Sequence, residues 1–260
     1  MTEQEWENFF GAARRWWGTD LTSYKRTHLD RRLTTFMVQE GLTDVPALMA
    51  RGQNDPEFWE RVHSYLTIHV SEFFRDAPYW QAWTQAILQR PDVPLKFWSA
   101  GASWGAEPVT LAVLMNAAGR SCEILATDSD VAILREAKTM EYGQEVMSQI
   151  PMQYRQSFER IGPDRWRLIS SIGRHIRFMR HHLLSDPYPS GFHGILCRNV
   201  LIYFEPSARW TVAQKLAQAL LPQGYLWLGA TETLLEWRGL GLRVVGPSLF
   251  QKIANPIAER

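Results

Sequence analysis

The sequence predicts an α/β fold: a mostly parallel sheet with helices on both faces, preceded by an all-helical segment. Three observations predict it. The first part of the chain carries apolar side chains at helical spacing. After Pro94, short apolar runs alternate with helical patterns, as in linked β-α-β units. Several of those runs end on glycine or on polar residues, where open sheets of this kind bind ligands.

Composition narrows the class. The chain has 260 residues, 45% of them hydrophobic and 21% charged, with a formal net charge of +1. That is the mix of a globular protein, with no bulk field to recruit nucleic acid. No apolar run approaches the roughly 18 residues of a spanning helix, and the acidic start MTEQEWENFF lacks a signal-peptide core. Cys122 and Cys197 form no metal-type pair, and no HExxH spacing accompanies His181-His182. No metal site is expected. A cytoplasmic, reduced monomer is expected.

The elements follow in order. Glu3 to Trp17 is an amphipathic helix. Tyr24 to Glu40 is a second, with Leu29, Leu33, Phe36 and Met37 on one face and Gly41 as its stop. Asp55-Pro56 starts a third, carrying Phe58, Val62, Tyr65 and Leu66 inward. Strands are expected at 95–101, 123–128, 192–197, 224–230 and 248–253, and helices at 107–115, from Val131 through Ala137, and at 207–221. RWRLIS (165–170) and HIRFMR (175–180) alternate around Ser171-Ile172-Gly173 and read as antiparallel strands outside the main sheet. The predicted organisation is a helical unit over 1–70 and an α/β domain over 71–260, with an inserted β unit at about 143–180.

Five segments carry the chemistry. SAGASWGAEP (99–108) joins a strand to a helix, and Gly101 and Gly105 permit close backbone approach to a ligand. The spacing is not that of a phosphate loop, and Glu107 suits a cationic or hydroxylated group; alternatively, Glu107 only serves the helix dipole. Asp128 closes the second strand, where an acid hydrogen-bonds ribose hydroxyls in dinucleotide folds, with Asp130 as a second candidate. Alternatively, Asp128 or Ser129 caps the next helix. In TIHVSEFFRD (67–76), Phe73-Phe74 bury while Arg75-Asp76 mark a turn; read alone, this is a core-anchored linker with a surface ion pair. In YKRTHLDRRL (24–33), Lys25, His28 and Arg32 share one helical stripe with Arg31 nearby, suited to an acidic protein surface or simply solvated. In ILCRNVLIYF (195–204), Arg198-Asn199 interrupt an apolar run, as where a strand end opens on a ligand.

In this order the segments resemble the CheR family of chemoreceptor glutamate methyltransferases: YKR…RRL, VSEFFRD, FWSAGASWGAEP, ATDSD, CRNVLIYF and LGATE, from about Trp6 to about Ile253. The resemblance implies a class I, Rossmann-like methyltransferase sheet, an N-terminal helical subdomain and a small inserted antiparallel β subdomain. It implies S-adenosylmethionine as donor, S-adenosylhomocysteine as product, and glutamates on cytoplasmic helices of methyl-accepting chemotaxis proteins as acceptors. By position, His69, Ser71, Arg75, Gly101, Glu107, Asp128, His182, Leu183, Arg198 and Asn199 would hold the donor, with Asp128 at the ribose and His182-Leu183 by the adenine. Arg75 and Tyr203 would sit nearest the transferring methyl. Lys25, Arg26, Arg31 and Arg32 would face the receptor. The chain departs from the family pattern at His69, Trp104, Ala106 and His182, standing for Asn, Thr, Glu and Asn; Trp104 either stacks on the donor or points out of its loop. The alternatives are a catalytically weakened donor-binding or receptor-docking module, a small-molecule methyltransferase and, more remotely, a nicotinamide oxidoreductase. Removing residues 1–70 and measuring donor binding and receptor methylation separately discriminates among these readings.

Overall fold

A computed structural model describes residues 1–67, 71–90, 94–230, 232 and 237–254. Four helices open the chain: α1 (Glu3–Trp17), α2 (Arg26–Gln39), α3 (Val45–Asn54) and α4 (Pro56–Leu66). Their starts are written locally. Thr2 and Glu5 form a reciprocal capping box, while Asp44 and Asp55 accept from the amides of Ala47 and Phe58. Trp6, Phe9, Leu29, Leu33, Leu48, Phe58 and Trp59 meet in one core. Helix α2 begins at Arg26 rather than at Tyr24, because Tyr24 is extended and bridges Phe204 across the molecule.

Helix α5 (Ala77–Leu88) leads into the main sheet, built from β1 (Leu95–Ala100), β2 (Cys122–Asp128), β6 (Ile176–Arg180), β7 (Phe192–Cys197), β8 (Leu220–Leu228), β9 (Leu242–Gly246) and β10 (Leu249–Lys252). Their order is β6-β2-β1-β7-β8-β10-β9, parallel except for β10, which runs antiparallel to β8 and β9. Helices α6 (Ala106–Ala117), α7 (Val131–Thr139) and α10 (Pro206–Ala219) connect these strands. Alternation along β1 sends Phe97 into the core with Trp83 and Val109, and Trp98 into the core with Val212 and Leu216. Residues 106–115 of α6 are all buried, the acidic Glu107 of its first turn among them.

Between α7 and β6 lies a small antiparallel sheet, β3-β5-β4, of β3 (Glu141–Gly143), β4 (Phe158–Gly162) and β5 (Arg165–Leu168), with a five-residue helix α8 (Gln144–Ser148) inside it. Here the structure corrects the sequence reading. Residues 176–180 do not pair with 165–168; they add a parallel edge strand to β2, from Ile124↔Ile176 to Asp128↔Arg180. The expected turn at 171–173 is instead one helical turn, α9 (Ser170–Gly173). An edge strand of a parallel sheet has polar alternate positions, so its pattern matches that of an antiparallel strand. Among the described residues no helix is long and apolar enough to cross a membrane.

Helix α3 was not legible in the pattern, and Gly52 shows how tightly it packs: a Cβ there would fall inside the indole of Trp59. Gly52→Ala is therefore expected to destabilise the helical unit by about 1–3 kcal/mol through overpacking, against a helix-propensity gain of about 1 kcal/mol. Urea unfolding followed by tryptophan fluorescence measures the balance.

Candidate active site

The strand order reverses between β1 and β7, and a cleft opens beyond their carboxyl ends, where sheets of this topology hold ligands. The opposite wall comes from the helical unit, including Trp17, Tyr24, His28, His63 and Leu66. Ser71, Arg75, Gly101, Glu107, Asp128, His182, Leu183, Arg198, Asn199 and Tyr203 all line this one cleft. His69 lies outside the described residues.

The floor is a tight turn after β1. Gly101 has φ 90°, and a Cβ there would sit 2.5 Å from Cγ2 of Val200, so the backbone approaches as only glycine allows. The amides of Gly101 and Ala102 both donate to the Thr127 carbonyl at 2.8 Å, tying the turn to the end of β2. Asp128 accepts from the amides of Ser103 (2.9 Å) and Asp130 (3.1 Å). The helix cap that Asp128 or Ser129 was a candidate for belongs to Asp130, which accepts from Ala132 and Ile133 and is buried. Asp128 is thereby left at the cleft. Trp104 does not line the cleft. It packs on Phe73 and Tyr142, with ring centroids 5.6 and 6.0 Å away, so it points out of the loop toward the inserted sheet.

Charge is organised around Arg198. Its side chain is 3% exposed, pairs with Asp76 at 2.6 Å and Glu107 at 3.3 Å, and donates to the Arg75 carbonyl at 2.8 Å. Its guanidinium lies 4.2 Å from the ring centre of Trp227. The surface ion pair read into Arg75-Asp76 is thus corrected: Asp76 turns inward to Arg198. Arg75 sits between two residues in the left-handed region, Phe74 (φ 53°) and Asp76 (φ 60°). Burial pushes the Glu107 carboxyl up, while Arg198 and the Ser99 hydroxyl, which donates to it at 2.7 Å, pull it down.

After β7, Asn199 takes φ 60° and a one-turn helix, Leu201–Tyr203, brings Tyr203 back to the cleft. The Tyr203 ring lies 4.9 Å from that of His28, and its carbonyl accepts from the Lys25 amide at 2.9 Å. Burial raises the Tyr203 pKa, with Arg75 and Arg32 pulling it back. After β6, His182 is 1% exposed, and among the described residues neither of its ring nitrogens has a hydrogen-bond partner.

The basic residues of α2 divide. Arg26 pairs with Glu3 at 2.7 Å and lies over Trp6; Nε of Arg32 donates to the Tyr65 carbonyl at 2.8 Å. Arg31 remains exposed, and Lys25 precedes the helix. None of these four lines the cleft. Asp76 and Glu232 were given no site role by sequence reasoning, although Glu232 closes the LGATE segment. Among the described residues no group of three His, Cys, Asp or Glu side chains is placed to hold a metal ion.

An open parallel sheet with a glycine turn after β1, an acid ending β2 and a helical unit closing the cleft defines a nucleoside-binding α/β domain with an added helical wall. Comparison with known proteins specifies it. The family model described as the CheR methyltransferase SAM binding domain matches residues 69–240, and that of the CheR methyltransferase all-alpha domain matches residues 4–67. The chain belongs to the CheR methyltransferase family and is an S-adenosylmethionine-dependent methyltransferase. It is 33% identical over 256 residues to a chemotaxis protein methyltransferase of Listeria monocytogenes, covering 96% of this chain and 98% of that one. It is 30% identical over 237 residues to chemotaxis protein methyltransferase 1 of Pseudomonas aeruginosa (84% and 85% covered), and 29% identical over 228 residues to the chemotaxis protein methyltransferase of Escherichia coli (83% and 79%).

Burial lowers the His182 pKa to about 4, against about 6.5 in the unfolded chain. Between these values the unfolded state binds more protons, so stability falls as pH falls through that window. Urea unfolding at stepped pH should show wild type losing about 3 kcal/mol more than His182→Asn between pH 6.5 and 4.

Proposed function

We propose that this protein transfers a methyl group from S-adenosylmethionine to glutamate side chains on the cytoplasmic helices of chemotaxis receptors, leaving glutamate methyl esters and S-adenosylhomocysteine. It acts as a monomer in the cytoplasm. The observation that carries the reading is one cleft lined by the Gly101 turn, Asp128, Arg75 and Tyr203 together, with the charge of Arg75 acting on the Tyr203 phenol. The relatives' names, chemotaxis protein methyltransferases, supply the acceptor class.

The residues present fit the donor. The Gly101 turn brings its backbone to the cleft with no room for a Cβ beside Val200, Asp128 offers a carboxylate at the end of β2, and His182 presents two ring nitrogens without a hydrogen-bond partner among the described residues. Asp128 would hold ribose hydroxyls, His182 and Leu183 the adenine, and Ser71, Glu107 and Asn199 the amino-acid end. S-adenosylmethionine, when bound, supplies an electrophilic methyl group on a cationic sulfur.

The chain's own residues do the rest. A free glutamate has a pKa of about 4.3, so the acceptor arrives ionised and no general base is required. Arg75 orients one carboxylate oxygen and leaves the other free. Tyr203, a phenol that is neutral at pH 7 and that burial pushes further that way, shares that task as a hydroxyl donor without adding a second charge that would blunt the nucleophile. The helical wall excludes water, which strengthens these interactions. The exposed Arg31 and the neighbouring Lys25 sit on the face that would meet an acidic receptor surface, and Arg26 and Arg32 brace it.

Calorimetric titration with S-adenosylhomocysteine tests the donor site. Saturable binding that disappears in Asp128→Ala is expected; no binding by wild type at millimolar ligand would remove the enzyme reading. In methylation of a receptor cytoplasmic fragment, Tyr203→Phe loses one hydrogen bond to a charged group, worth about 1.5–3 kcal/mol, so turnover should fall about 10–100-fold with donor affinity retained. Unchanged turnover would reduce Tyr203 to packing.

A further inference from the structure

Glu232 closes the one recognised segment to which the reaction assigns no task. Its carboxylate is buried, with the residue 4% exposed, and is held by backbone alone among the contacts described. Oε2 accepts from the amides of Asn199 and Gly229, both at 2.6 Å, and Oε1 accepts from the amide of Ile202 at 3.2 Å. Asn199 is left-handed and Val200 right-handed (φ −114°, ψ −47°), an alternation that turns amides of one short segment toward a common point, and the Gly229 amide joins those of Asn199 and Ile202 from the end of β8. Such a concavity ordinarily collects a free anion. Here the chain fills it with its own carboxylate. The fit is close on the far side too: a Cβ at Gly229 would lie 2.7 Å from Oε2 and 2.9 Å from the Asn199 amide.

The turn built on this carboxylate carries Asn199, Val200 and Tyr203, all of which line the cleft, whereas Glu232 does not. Without an anion, the amides of Asn199, Ile202 and Gly229 would be left unpaired in a buried setting, which is destabilising for each group. The turn would then reorganise to reach other acceptors.

We infer that Glu232 is a positioning residue for methyl transfer: its carboxylate fills a backbone anion nest and thereby fixes the turn that presents Asn199 and Tyr203 to the reaction centre. The inference rests on the methyltransferase reading for its catalytic consequence, but not for its structural one.

The test uses the full chain with Glu232→Ala, which empties the nest, and Glu232→Gln, which fills it with an uncharged group. Hydrogen-exchange mass spectrometry of the segment 198–204 reads the turn without donor or receptor. Protection in wild type should be lost in both variants, and formate should restore it in Glu232→Ala in a saturable way. Receptor methylation should fall about 100-fold, the penalty of roughly 1 Å of misplacement, and formate should recover it in Glu232→Ala but not in Glu232→Gln. Unchanged protection in Glu232→Gln would overturn the inference, as would lost protection that leaves turnover at the wild-type level. So would a folded Glu232→Ala in which formate restores neither quantity. If Glu232→Ala does not fold, Glu232→Gln decides by the same two measurements. A wild-type chain that fails to methylate receptor would refute the functional reading, while the exchange data would still judge the nest.

Discussion

A guanidinium taken out of water needs a set of partners, and in this protein Arg198 has one on both terminal nitrogens, while its buried Nε has none among the described residues. Desolvating a charge costs several kcal/mol even after relaxation, and partners offset that cost. Asp76, the Arg75 carbonyl, Glu107 and the face of Trp227 supply the set together. They come from the turn before α5, from α6 and from β8, so one side chain at the end of β7 locks four parts of the chain. The consequence for chemistry is indirect. By gripping both Asp76 and the Arg75 carbonyl, Arg198 fixes the backbone from which the Arg75 side chain reaches the cleft. By pairing with Glu107, it opposes the tendency of burial to neutralise that carboxyl.

Part of the backbone strain follows the same map, while Met140, Gln223 and Ser248 carry positive φ away from the residues that line the cleft. Phe74, Asp76, Ser103 and Asn199 are non-glycine residues with positive φ, and all four lie in the loops that shape the cleft. Such conformations cost of order 1–3 kcal/mol each and persist only where the surroundings over-determine them. The surroundings are visible here. Arg198 holds Asp76, the Thr110 hydroxyl accepts from the Phe74 amide, Asp128 accepts from the Ser103 amide, and Glu232 accepts from the Asn199 amide. Three of these four anchors are ionisable side chains, which makes the shape of the cleft an electrostatic construction as much as a packed one.

The sequence showed more of the frame than of these anchors. Alternating strands and helices, the glycine turn at 101 and the acid at 128 are local signals, and local signals survive translation into structure. The partner of residues 176–180 is not local: period-two alternation is the same beside β2 as beside β5, and only the fold decides. The role of Asp76 was hidden for a related reason, since its partner stands 122 positions away. Beside Arg75 it looked like half of a surface pair. Trp104 could not be placed from its loop alone, because the direction of an indole depends on the pocket that Phe73 and Tyr142 provide. Glu232 sits in a quoted motif, yet a carboxylate that binds amides leaves no pattern in the residues it binds.

The join between the two parts of the chain bears on how the reaction is understood. Tyr24 bridges Phe204, the Lys25 amide donates to the Tyr203 carbonyl, and the Glu205 amide donates to the Ser23 carbonyl. The rings of His28 and Tyr203 pack on one another within that join. The helical unit therefore would do more than offer cations to the acidic partner proposed for it. It closes the cleft opposite the sheet and braces the backbone and ring of Tyr203, which lines it. Removing residues 1–70, which the sequence alone recommends as a way to separate donor binding from receptor recognition, would open the cleft and unbrace Tyr203 at once. On the proposed reading, separation of the two roles has to come from point changes: at the exposed Arg31 for the acidic partner, and at Asp128 for the donor. The segments 23–25 and 203–205 would serve both, because the same few backbone hydrogen bonds hold the start of α2 and the Tyr203 turn in one frame.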